Sequence, residues 1–339
     1  MAPDSLATAL SATTAAALAA VLLCATWDRA TGLRRAALRA ATTVCCLTTA
    51  LAATGLWINH QIDTFPTWSA LAGQKTGADP TPATGHTDGQ LVTLTVPGTA
   101  SGLTLPIHAY LPAAYRDQPT ARFPVIEALH GFPGSPSGWL NRLAATRHLD
   151  QEITAGRMAP TVVLFPPQTP NPLLDTECTD LTGGPRTETF LTVDVPAAAQ
   201  THLRIRADRA GWGLIGYSAG GYCATNLALR HPDKYATAAS LSGYATPGIT
   251  IGDGTEHTLN DDTWRLRHLP QPAIALYLAS GRADHKAHHD AETLAHLAHP
   301  PLTVTTNYAD GGGHSMAVWE AAEAPAFDWL STWLGRPLH

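Results

Sequence analysis

No charged residue occurs between positions 5 and 27, and none between 40 and 58. As a helix, each stretch is long enough to cross about 30 Å of hydrocarbon. The segment between them carries Arg29, Arg34, Arg35 and Arg39, and basic loops stay on the cytoplasmic side of a membrane. The pattern predicts a transmembrane helical hairpin over 5–27 and 40–58 with both ends outside. Trp27 and Trp57 stand at the segment ends, where interfacial tryptophans sit. A rival reading is a cleaved signal peptide, with Arg34, Arg35 and Arg39 as its basic region, 44–51 as its apolar region and Ala50-Leu51-Ala52 as its cleavage site. A pair of Ala-rich soluble helices is a third. Both leading readings export everything after about residue 60.

Beyond the hairpin the hydrophobic pattern lapses. Residues 61–90 hold a run rich in Gly, Pro and Thr that reads as a flexible linker. From residue 91 the pattern resumes as short apolar runs alternating with helix-like segments. Strands are predicted at 91–96, 105–111, 125–129, 161–165, 213–216, 238–241, 274–279 and 302–308. Helices are predicted at 138–152, 196–203, 220–230, 287–297 and 317–334. Runs such as Val162-Val163-Leu164-Phe165 suit strands covered on both faces. Alternating strands and helices imply an α/β domain over 91–339 with a mainly parallel sheet.

Composition adds little to this picture. Apolar residues make up 45% of the 339 positions, enough for a sizeable core. The net charge is −6, and the chain has no basic run beyond the short arginine cluster. Nucleic acid is therefore not an expected partner.

The candidate chemistry lies at the ends of the predicted strands. Gly216-Tyr217-Ser218-Ala219-Gly220 spells G-x-S-x-G between a strand and a helix, the context of a nucleophile elbow. A serine hydroxyl needs a base, a group that orients the base, and donors for the developing oxyanion. His314 follows the last strand behind Gly311-Gly312-Gly313 and is the candidate base. Asp284 follows the strand before it, completing the order Ser, Asp, His. Asp310, Asp290 and Glu292 are rival acids. His130-Gly131-Phe132-Pro133-Gly134 follows the strand at 125–129 and can turn the Phe132 N–H toward a substrate oxygen. The second donor is the N–H of Ala219. His130 itself is expected to brace this loop.

These motifs, with Glu188-Thr189-Phe190-Leu191-Thr192, the run Leu227 to Asp233 and Leu241-Ser242-Gly243, make the chain resemble the α/β-hydrolase esterases that include esterase D and the secreted mycolyltransferases. The resemblance spans about residue 91 to the C-terminus. It implies an α/β-hydrolase fold with helices on both sheet faces, and acyl-ester chemistry by a Ser218, His314, Asp284 triad with Phe132 and Ala219 as the oxyanion hole. Mycolyltransferases carry Glu as the acid where this chain has Asp284. The resemblance therefore implies a hydrolase for small-molecule, lipid or glycan esters, with acyl transfer to an envelope glycan or lipid as the alternative. An inactive binding protein on the same fold is a further alternative. No metal and no organic cofactor is expected.

Of five cysteines, Cys24, Cys45 and Cys46 fall in the apolar segments and are expected to pack there. Cys178 and Cys223 are the only pair in the exported part, which predicts a disulfide between them. His285 and His289 have i,i+4 spacing, but no further ligand pair accompanies them, and a solvated helix face is the expected role. Trp139 and Trp319 are candidates both for an acyl pocket and for helix packing.

Overall fold

The computed structural model describes residues 2–3, 5–29, 31–62, 68–71 and 88–339. It divides into two compact units, Met1–Ala78 and Asp79–His339. The linker expected at 61–90 falls largely outside the described residues.

The first unit is built on two helices, Leu6–Thr26 and Gly32–Ile62. Their most apolar windows have mean hydropathies of 1.9 and 1.5, long and apolar enough to cross a membrane. Ser5 caps the first by accepting from the Thr8 N–H. Trp57 Nε1 donates to Thr13 Oγ1 at 2.7 Å and joins the pair. The second helix starts well before the expected residue 40, because the intervening Arg, Ala and Leu residues are strong helix formers. Arg39 thereby sits on a helix, pairing with Asp28 at 2.9 Å and lying over the Trp27 ring. Leu18, Val21, Leu47 and Leu51 face outward. So do Cys24 and Cys45, while Cys46 is half-buried.

In the second unit the strands are β1 (Gln90–Val96), β2 (Leu105–Leu111), β3 (Val125–Leu129), β4 (Val162–Phe165), β5 (Trp212–Tyr217), β6 (Thr237–Leu241), β7 (Ala275–Gly281) and β8 (Thr303–Ala309). They form one sheet in the order β1-β2-β4-β3-β5-β6-β7-β8. β1 and β2 pair antiparallel, β2 meets β4 antiparallel, and the remaining neighbours are parallel. Every residue of β3 to β7 is buried, as near-continuous apolar runs require.

The period of two along each strand feeds two cores. Val125 and Leu129 of β3 join Leu214, Ala238 and Leu276 on one face, where the helix Ala219–Arg230 packs. Ile126 and Ala128 join Ile215, Ala239 and Tyr277 on the other, with Trp139, Leu149, Phe327 and Leu330. The sheet is thus covered on both sides, the α/β-hydrolase architecture that the motifs imply. The helix expected over 138–152 is interrupted. A π turn, Gly138–Arg142, precedes the helix Ala145–Thr154, and Ala144 between them has φ of 52°. Gly138 is pressed against the Tyr217 hydroxyl: an added Cβ would lie 2.1 Å from it. That contact fixes the path of the turn independently of helix propensity.

Candidate active site

The parallel strands present their C-terminal ends at one edge of the sheet. On either side of β3 the chain winds in opposite directions, to β4 and to β5, the place where open α/β sheets form binding crevices. Ser218 lies there, between β5 and the helix Ala219–Arg230. Its φ of 55° and ψ of −124° are costly for a residue with a Cβ. Small neighbours make the turn feasible. A Cβ on Gly216 would fall 1.8 Å from Gly220 O, and one on Gly220 would fall 2.2 Å from Leu129 O. The flanking glycines of G-x-S-x-G are therefore dictated by backbone passing backbone. The Ser218 N–H donates to Leu241 O at 2.9 Å, which ties the turn to the next strand.

His314 Nε2 is 2.8 Å from Ser218 Oγ, and His314 Nδ1 is 2.7 Å from Asp284 Oδ2. The Asp284 carboxylate can only accept, so Nδ1 carries the ring proton and Nε2 is left to accept from the Ser218 hydroxyl. Asp284 is buried while the His314 side chain is 42% exposed. A shielded acid holding an accessible base is the arrangement a proton shuttle needs. Gly281 permits it, because a Cβ there would lie 2.2 Å from Gly312 O on the loop that carries His314. The rival acids are engaged elsewhere. Asp310 is fully exposed beside Arg282, Asp290 accepts from the Ala245 N–H and Lys286, and Glu292 lies 3.6 Å from His288.

The aromatic residues buttress this set. The His314 ring meets Trp319 edge-on at 5.0 Å, and Trp319 stacks on Tyr217 at 4.8 Å. Trp139 is fully buried against Tyr217 and Phe327, so its place is in the core. Trp319 packs as well, and also lines a cavity of about 210 Å³ with Ser242, Ser280 and Asn307.

The loop after β3 lies against Ser218: a Cβ on Gly131 would come 3.1 Å from Ser218 Cβ. Among the described residues the N–H groups of Phe132 and Ala219 have no acceptor, and both residues line the same narrow cleft. His130 braces the loop as expected. Burial pushes its imidazole down to about 4, so the ring is neutral. Its Nδ1–H donates to Gly131 O at 2.8 Å, and its Nε2 accepts from the Gln168 N–H at 3.2 Å.

Gln168 carries no sequence signal that singles it out, yet it joins three parts of the site. Beyond its bond to His130, its Nε2 donates toward the sulfurs of Cys178 and Cys223 at 3.2 and 3.4 Å. Those two cysteines form the expected disulfide. The bridge pins the turn around Glu177 and Cys178, both with positive φ, to the first turn of the helix after Ser218. Glu188 pairs with Arg230 at 2.6 Å and His231 at 2.8 Å, tying its own turn to the far end of the same helix. Among the described residues no cluster of His, Cys, Asp and Glu could hold a metal ion. His288 faces Tyr308 edge-on and lies 3.4 Å from Ser280 Oγ.

Comparison with known proteins gives this geometry a context. An uncharacterized protein of Corynebacterium glutamicum is 27% identical over 244 residues, 66% of this chain and 56% of that protein. The chain thus spans little more than half the length of that relative. A ferulic acid esterase structure superposes with a TM-score of 0.63 at 18% identity, covering 73% of this chain and 99% of that one. An S-formylglutathione hydrolase of Agrobacterium tumefaciens does so with a TM-score of 0.63 at 14% identity, covering 75% and 99%. At such identities the two structures speak for the fold alone. Residues 99–330, more than half of the chain, match the family described as "Putative esterase", and the chain belongs to that family.

Proposed function

We propose that the second unit is a serine esterase that hydrolyses carboxylic esters outside the cytoplasm, held at a membrane by the N-terminal hairpin. The observation that carries this reading is the continuous relay from Ser218 Oγ through His314 to Asp284, with both links at hydrogen-bond distance. Membership of the esterase family supports it. The disulfide fits an oxidising compartment, and the two long apolar helices fit the anchor.

In the proposed reaction His314 Nε2 takes the Ser218 proton as Oγ bonds to the ester carbonyl carbon. The carbonyl oxygen becomes an oxyanion, stabilised by the N–H groups of Phe132 and Ala219 at the positive end of the helix after Ser218. Asp284 accepts from Nδ1 and offsets the imidazolium charge. The bond to the alcohol oxygen then breaks, and that oxygen leaves with the proton from Nε2. Water attacks the acyl-Ser218 ester, gives its proton to Nε2, and releases the acid with Ser218 restored. Steady-state hydrolysis of a short-chain aryl ester tests this. Ser218→Ala is expected to reduce turnover to background, and full activity in that variant would refute the assignment.

A further inference from the structure

The cavity of about 210 Å³ that Trp319 lines is built from the strands that lead into the candidate triad. β7 gives it Ala279, shortly before Asp284, and β8 gives it Ala309, at the start of the loop that carries His314. β6 gives it Leu241, whose carbonyl accepts from the Ser218 N–H. The helix Met316–Trp333 forms the remaining wall with Trp319, Ala321 and Ala322 among its residues. Neither Ser218 nor His314 lines this cavity, so it is separate from the place of the proposed reaction.

Its shape follows from the packing. The helix lies over β5, β6 and β7. Ala279 pairs with Asn307 and Gly281 with Ala309 across β7 and β8, so these residues share the face that the helix covers. Ala279 is buried there, whereas Asn307 and Ala309 are exposed, because the helix stops short of β8. Ala279, Ala309, Ala321 and Ala322 each end at Cβ, and the space that longer side chains would fill stays open between them. No charged side chain lines the cavity, and the exposed Asn307, Ala309 and Ala321 leave it a way to solvent. An apolar cavity of about 150 Å³ holds benzene. This one has room for a ring with a short substituent.

We propose that this cavity is an effector site for an uncharged, mainly apolar molecule the size of one aromatic ring with a short substituent. Its occupant lies against Trp319. The Trp319 ring stacks at 4.8 Å on Tyr217, the residue before Ser218, and meets His314 edge-on at 5.0 Å. One side chain thus touches the effector, the imidazole and the turn that holds Ser218. A molecule that favours one placement of the indole therefore shifts how often His314 stands where it can accept from Ser218. The coupling rests on the esterase reading above, whereas the binding does not.

Benzyl alcohol is the probe, with benzoate and benzylammonium as charged molecules of the same ring. The full-length protein in detergent is compared with Ala322→Leu and Ala309→Leu, which fill the cavity from opposite walls, and circular dichroism reports their folds. Detergent takes up the probe equally in the three samples, so the readout is the difference between proteins. At ten times its half-saturating concentration, benzyl alcohol is expected to raise the melting temperature of the wild type by about 3–6 °C relative to the filled variants. Benzoate and benzylammonium are expected to give no such rise, since the walls offer them no counter-charge. That comparison of neutral and charged rings needs only the wild type. Benzyl alcohol is also expected to change, saturably and by about fivefold, the rate at which a fluorophosphonate labels Ser218 in the wild type, and to leave the filled variants unmoved. Competition at Ser218 itself would instead slow labelling in all three. Equal melting shifts in the three proteins, or equal stabilisation by the charged rings, overturn the site. Stabilisation with labelling unchanged overturns the coupling, and the esterase reading stands without it. If Ser218 takes no label even without the probe, the esterase reading and the coupling fall together, and the melting comparison alone decides the site.

Discussion

Removing the Cys178–Cys223 bridge is expected to lower the melting temperature of the second unit by about 8–16 °C. The two cysteines are 45 residues apart. Closing a loop of that length restricts the unfolded chain by about 4 kcal/mol, and a domain of this size loses about 2–4 °C per kcal/mol. The native fold adds a local reason. Both sulfurs are buried and accept from Gln168 Nε2, and the Gln168 backbone N–H donates to His130 on the loop carrying Phe132. The doubly substituted Cys178→Ala/Cys223→Ala protein should therefore melt early and lose kcat/KM as the Glu177 turn loosens. Differential scanning calorimetry of the two proteins under one buffer measures the shift. A difference under about 3 °C would contradict the loop-closure reasoning.

Asp284→Asn should leave the fold intact and lower kcat by about 10⁴-fold, because an amide that donates toward Nδ1 selects the wrong imidazole tautomer; initial rates with unchanged melting would check it. Gly216→Ala should give an inactive, poorly folded protein, since its Cβ has only 1.8 Å to Gly220 O; soluble yield and circular dichroism report this. Glu127, wholly buried in β3, should make stability depend on pH. Burial raises its carboxyl from 4.5 to about 8. The unfolded chain releases that proton near 4.5 while the folded chain keeps it to about 8, so stability falls as pH rises through that window, by about 1.4 kcal/mol per unit. Denaturant titrations from pH 5 to 8 should show a flatter slope for Glu127→Gln than for the wild type.

The strands were legible in the sequence because burial on both faces leaves continuous apolar runs, as in Val162–Phe165. Ser218, Asp284 and His314 were legible for a different reason. Each follows a strand, and their glycine-rich neighbours mark where backbone must pass backbone, as at Gly216, Gly220 and Gly281. The disulfide followed from the parity of the two cysteines that lie beyond the apolar segments. The break at Ala144 was hidden, since a contact between Gly138 and Tyr217 from a distant strand sets it. Gln168 and Glu177 were hidden too. Both lie in loops, and an isolated polar residue in a loop has no period to reveal it. Only the proximity of Glu177 to Cys178 hinted that its turn would be held at the site.

We propose that Ser218 is a nucleophile activated by His314. The most direct test is to treat the full-length protein with a fluorophosphonate, digest it, and locate the adduct by mass spectrometry. A single adduct on Ser218 is expected, formed orders of magnitude more slowly in His314→Ala. No adduct at Ser218, or equal labelling of the two proteins, would contradict the account.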